Sequence, residues 1–159
     1  MQVEDRAALA ELVSGQRQAA LGTLADGAPF VSMVLYALDH GDTQQTSLLI
    51  HISRLSPHTG QLIADPRASL MIAQPDLGEG DPQALPRVTV QLLANILMPS
   101  DSGYEQAKAS YIARLPHSGL LFTFSDFMLF RLVPTEARYI GGFAKAFALS
   151  AAQFQQALR

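Results

Sequence analysis

Ser56, His58 and Thr59 are the residues of this chain whose types and spacing could do chemistry together. They fall in Ser56-Pro57-His58-Thr59, between two apolar runs at 48–52 and 68–73. A serine oxygen at the cap, followed by a proline whose φ suits the first helical turn, marks a helix start. The spacing predicts a short helix over 58–64, ending before Asp65-Pro66 because proline restricts the residue ahead of it. At such a start, free backbone N–H groups and the positive end of the helix dipole suit an anion such as phosphate. Ser56, His58 and Thr59 can each donate a hydrogen bond there. A plain helix cap with no ligand accounts for the same spacing.

Other chemistries find little support. His40, His51, His58 and His117 are spread out, with no His-Glu-x-x-His pair and no metal-ligand spacing. There is no Gly-x-Ser-x-Gly elbow, Walker loop or Gly-x-Gly-x-x-Gly turn. Most acids sit in turns or helix starts, so no carboxylate pair stands out. The chain has no cysteine, which removes disulfides, thiolate nucleophiles, zinc ribbons and iron–sulfur clusters.

The elements that must position these residues read as mostly extended. A helix over 3–14 places Leu9, Leu12 and Val13 on one face, with Gly15 to end it. Strands over 19–24 and 30–38 flank Asp26-Gly27, a hairpin turn signal, and Ser32, Val34 and Tyr36 share a face of the second. His40-Gly41-Asp42 makes a turn, and 43–46 leads into the strand at 48–52. The Pro- and Gly-rich segment 75–86 is an irregular loop. Residues 87–98 form the longest extended run, near-continuous in apolar residues and expected at the centre of a sheet. A helix over 102–113 carries Tyr104, Ala107 and Tyr111 at helical spacing, and Ser150 with Gln153 forms a capping box for a last helix. Gly141-Gly142 suggests a bulge. The fold class is therefore mainly β (α+β): a six-stranded antiparallel barrel, closed or partly closed, with short flanking helices and room for ligands at its rim or a subunit interface.

At 159 residues, 48% hydrophobic and 16% charged, the chain suits one domain with a sizeable core. A net charge of −3 with no basic run argues against nucleic-acid and anionic-membrane partners. The acidic, polar start and the absence of a long apolar run lead to a cytoplasmic expectation. Phe122, Phe124, Phe127 and Phe130 are more aromatic surface than one small barrel readily buries, so a homodimer is expected.

Residues 49–71 resemble the core of the split-barrel flavin-binding proteins related to pyridoxamine phosphate oxidase, above all the branch associated with haem utilisation. The likeness lies in Ser53-x-Leu55-x-x-His58-Thr59-x-x-Leu62 and in Asp65-Pro66-x-x-Ser69-Leu70. Further blocks agree in order: Pro29-Phe30-Val31-Ser32-Met33-Val34, Arg87-Val88-Thr89-Val90, and Asp126-Phe127 with Tyr139-Ile140-Gly141-Gly142-Phe143. The resemblance implies one split-barrel domain over 1–159 and a homodimer with flavin mononucleotide (FMN) at the subunit interface. It implies that Ser32, Met33 and Val34 line the flavin from one strand, and His51, Ile52 and Ser53 from the next. Ser56, His58 and Thr59 would then take the phosphate, with Arg87 reaching the cofactor from its own strand. Three positions depart from the family pattern: Leu92 and Ala144 replace glycines, and Gly60 stands where relatives are often basic. The implied activity is that of a flavin-dependent oxidoreductase. The alternative is a non-enzymatic flavin- or haem-binding module of haem utilisation. Haem degradation is not expected, because no histidine follows His117 to act as an axial ligand.

Overall fold

The computed structural model describes residues 1–41 and 45–159. It holds α1 (Val3–Gly15), β1 (Gln18–Ala25), β2 (Ala28–Leu35), β3 (Ala37–Asp39), β4 (Ser47–Ser53), α2 (Pro57–Ala64) and β5 (Arg67–Ala73). After these come β6 (Arg87–Leu97), α3 (Tyr104–Arg114), β7 (Phe127–Gly142), β8 (Lys145–Ser150) and α4 (Ala151–Ala157). Short 3-10 segments cover Pro82–Ala84 and Pro116–Thr123. The strands form one antiparallel sheet in the order β2-β1-β5-β6-β7-β4-β3, with β8 on β7. No helix among the described residues is long and apolar enough to cross a membrane. Asp42, Thr43 and Gln44, which carry part of the expected turn and lead-in, lie outside the described residues.

The strand count is eight rather than six, and Tyr36 is one reason. The expected strand over 30–38 divides there: Leu35 still faces Gln18 on β1, whereas Ala37 faces Leu49 on β4. β2 and β3 lie at the two ends of the sheet order and are consecutive in the chain, so this step closes the sheet into a split barrel. Tyr36 is anchored at the seam. Its N–H donates to the Arg17 carbonyl, and its hydroxyl donates to the Val13 carbonyl at the end of α1. The second reason is the tight hairpin that splits off β8, with Gly142 at φ 134° and Ala144 at φ 60°.

β4 is buried along both faces. Leu48, Ile50 and Ile52 enter the main core with Leu9, Leu21, Leu70, Val90 and Phe130. Leu49 lies on the other side, in a second cluster with Leu97, Tyr111, Leu115 and Leu129 under α3. β6 is central, as expected, but only Val88, Val90 and Leu92 of its first half turn inward. Leu92 therefore fills core space and presents no side chain to a ligand on the outer face. Phe130 is fully buried, Phe122 packs on the second cluster, and Phe124 stays about half exposed. Exposed apolar surface concentrates instead on the outer face of β2, at Val31 and Met33 with Leu35, and continues to Met71 across β1.

Candidate functional site

β4 ends at Ser53, and the chain turns over Arg54 and Leu55 into α2. Asp126, just ahead of β7, holds this turn. Its carboxylate accepts from the Ser53 hydroxyl at 2.8 Å, and its carbonyl accepts from the Arg54 N–H at 2.6 Å. The Ser53 hydroxyl in turn accepts from the Leu55 N–H at 3.1 Å. The Ser53 carbonyl accepts from the Ser56 N–H and from the Thr59 hydroxyl, the latter at 2.6 Å. α2 is fixed to the barrel by buried Leu62 and by the Thr23 hydroxyl, which donates to Gln61 Oε1 at 2.6 Å.

Ser56 is the N-cap of this eight-residue helix, as expected, but its hydroxyl makes no cap bond. Pro57 supplies no N–H, and the Thr59 N–H already donates to the Ser56 carbonyl. That leaves the Ser56 hydroxyl, the His58 N–H and the His58 ring as donors at the helix start. Burial lowers the His58 pKa, so the ring is neutral near pH 7 in the ligand-free chain. Gly60, one position further, has nothing within 4 Å of where a Cβ would stand.

Several expected ligand-facing residues sit elsewhere. Thr59 is fully buried and its hydroxyl proton is engaged by Ser53, so it is no phosphate donor in this arrangement. Ile52 lies in the core, as does Val34. Ser53 belongs to the turn. Ser32 faces inward with its Oγ buried and unpartnered, which leaves Met33 as the exposed side chain of its group. Arg87 donates through Nη1 to the Gln83 and Leu85 carbonyls at 3.0 and 3.1 Å, anchoring the loop ahead of β6. The register separates it further from Ser56. Arg87 faces Ile140 and Ser53 faces Phe127, at opposite ends of the sixteen-residue β7. Such a strand spans roughly 50 Å when extended. Within one chain, Arg87 and the start of α2 do not meet.

His51 is 8% exposed, and its ring lies flat against Phe122 from the Pro116–Thr123 segment, with centroids 3.7 Å apart. Tyr111 meets the same imidazole edge-on at 5.9 Å. Nδ1 is buried without a partner, and burial, reinforced by Lys108, pushes the pKa down to about 4. Asp126 and Phe122 shape this corner in ways the sequence does not show: Phe122 is expected on a dimer surface and instead stacks on His51. Asp126 was visible only as half of a motif, and nothing in the spacing linked Phe122 to His51. Among the described residues no cluster of His, Asp or Glu could hold a metal ion. The free donors at the helix start are of the kind that suit an anion, and among the described residues at this corner no acid–base pair is formed.

Comparison with known proteins places the fold. A curated relative, the chloroplastic non-canonical heme oxygenase HOZ of Arabidopsis thaliana, is 30% identical over 122 residues, covering 77% of this chain and 35% of the relative. The chain thus spans about a third of that protein. A heme binding protein from Mycobacterium smegmatis superposes with a TM-score of 0.82 at 24% identity, covering 96% of this chain and 60% of the other. The heme storage protein HutZ from Vibrio cholerae gives 0.68 at 22% identity, covering 94% and 96%. At these identities the two structures are alike in fold. The family described as pyridoxamine 5'-phosphate oxidase matches residues 6–141, most of the length, and the chain belongs to it.

Proposed function

We propose that this chain binds FMN with its phosphate at the start of α2, between two copies of the chain, and acts as a flavin-dependent oxidoreductase. The observation that carries this reading is the uncapped Ser56 hydroxyl beside His58, at the first turn of a helix in a member of the pyridoxamine 5'-phosphate oxidase family. The donor set fits a phosphate: one free hydroxyl, one N–H at the positive end of the helix, and an imidazole that gains a proton when an anion arrives. The flavin, when bound, supplies the electron-transfer chemistry. Ser56 and His58 anchor it, Asp126 and Ser53 hold the turn that aims them, and Met33 offers an apolar surface to the ring. Arg87 takes part from a second copy, because the register keeps it away from Ser56 in its own chain. The exposed strip of Val31, Met33 and Leu35 gives that second copy an apolar face to cover.

Reconstitution tests the reading. The purified protein, loaded with FMN and desalted, should stay yellow with one flavin per chain, sediment as a dimer, bleach with a nicotinamide reductant and recolour in air. A colourless monomer after desalting contradicts it. A second reading, a haem-binding module of haem utilisation, draws on relatives whose names record haem binding or storage. A sharp Soret band saturating at one haem per site, in a protein that retains no FMN, favours that second reading.

A further inference from the structure

A cleft of about 330 Å³ opens beside Phe122, between the start of α3, the end of β6 and the start of β7. Its size is at the small end for ligand pockets, room for a molecule of one or two rings. Its lining mixes aromatic and apolar side chains, Tyr104, Phe122, Phe124, Phe127 and Met98, with polar groups of Arg54, Thr123 and Ser125. Phe122 is braced from behind by the His51 ring, and Lys108 Nζ lies 5.6 Å from its centroid. Phe124 and Phe127 stand 6.2 Å apart, tilted at 54°. Arg54 is the one charged side chain on the lining, and its guanidinium enters no ion pair among the described residues. The neighbouring Asp126 carboxylate accepts from the Ser53 hydroxyl through one oxygen and forms no ion pair with Arg54.

Rigid aromatic walls favour a flat ring that can stack or meet them edge to face. A lone guanidinium at such a site favours a planar anion that it can grip with two parallel hydrogen bonds. We propose that this cleft is a binding site for a small planar aromatic carboxylate, its ring against Phe122 and Phe127 and its carboxylate on Arg54. The site is built from residues other than Ser56 and His58 and does not rest on the flavin reading.

Titration with 2-naphthoate tests this, followed through the ligand's own fluorescence, since the chain has no tryptophan. The unaltered protein should bind one naphthoate per chain and bind the uncharged 2-naphthylmethanol at least tenfold more weakly. Arg54→Gln, a change at an exposed position, should weaken naphthoate about tenfold and leave the alcohol unchanged. In NMR spectra the His51 ring signals should shift on saturation, because Phe122 lies between that ring and the cleft. Equal binding of acid and alcohol, indifference to Arg54→Gln, or unmoved His51 signals overturns the proposal. So does displacement of naphthoate by FMN, which would make the cleft part of the flavin site.

Discussion

The ring of Phe122 lies on the imidazole of His51, 3.7 Å between centroids and 5° from parallel. Family resemblance places His51 beside a flavin, and in this chain Phe122 covers one face of its ring. His51 thus acts as part of the second core, as a neutral ring between Phe122 and Tyr111.

A neutral, buried His51 makes the fold acid-sensitive. Its pKa is about 4 when folded against about 6.5 when unfolded, so the unfolded chain binds more protons between those values. The contribution is complete above pH 6.5 and is lost as pH falls toward 4, by about 3 kcal/mol in all. Urea unfolding at pH 7.5 and 4.5 should show the loss in the unaltered chain and a smaller one in His51→Phe. Identical pH dependence in both would mean the imidazole is solvated.

Ala144 sits at φ 60°, where its Cβ crowds the backbone and a glycine would not. Ala144→Gly should stabilise the β7–β8 hairpin by about 1 kcal/mol, raising the melting temperature by about 2–4 °C. An unchanged or lowered melting temperature contradicts the strain at this position.

Asp126 holds both Ser53 and Arg54, so it sets where α2 begins. Asp126→Ala should cost about 1–3 kcal/mol through the lost bonds and weaken FMN binding further than stability alone explains. Asp126→Asn, which keeps an acceptor, should recover much of both in calorimetry.

Gly60 has open space where a side chain would go, on a helix that gains stability from losing its glycine. Gly60→Lys should fold at least as well as the unaltered chain and bind FMN about tenfold more tightly, with a steeper salt dependence. Weaker binding would place the phosphate away from this turn.

Much of the frame was legible because local signals and burial agree. Leu9, Leu12 and Val13 fall on one helical face and all three are buried. Asp26-Gly27 forms the β1–β2 turn with both residues at positive φ. Ser150 and Gln153 make the reciprocal bonds of a capping box. The division at Tyr36 was not legible, since it depends on Arg17 and Val13, which are distant in sequence and invisible to a period-two pattern. At the site, the helix start was legible from Ser56-Pro57. The loss of Thr59 to the Ser53 carbonyl was not, because a hydroxyl near a helix start reads the same whether it faces a ligand or its own backbone. The separation of Arg87 from Ser56 follows from register alone, which no local motif records.

Phosphate anchoring by the start of α2 is tested most directly by calorimetric titration of FMN and riboflavin into the unaltered chain, His58→Ala and His117→Ala. His58→Ala should weaken FMN tenfold or more, about 1.4 kcal/mol, while riboflavin hardly changes and His117→Ala affects neither. In the unaltered chain FMN affinity should rise as pH falls toward the lowered His58 pKa, because the bound phosphate favours the protonated ring. Equal losses for both ligands in His58→Ala, or no loss for either, would contradict a phosphate held at this helix.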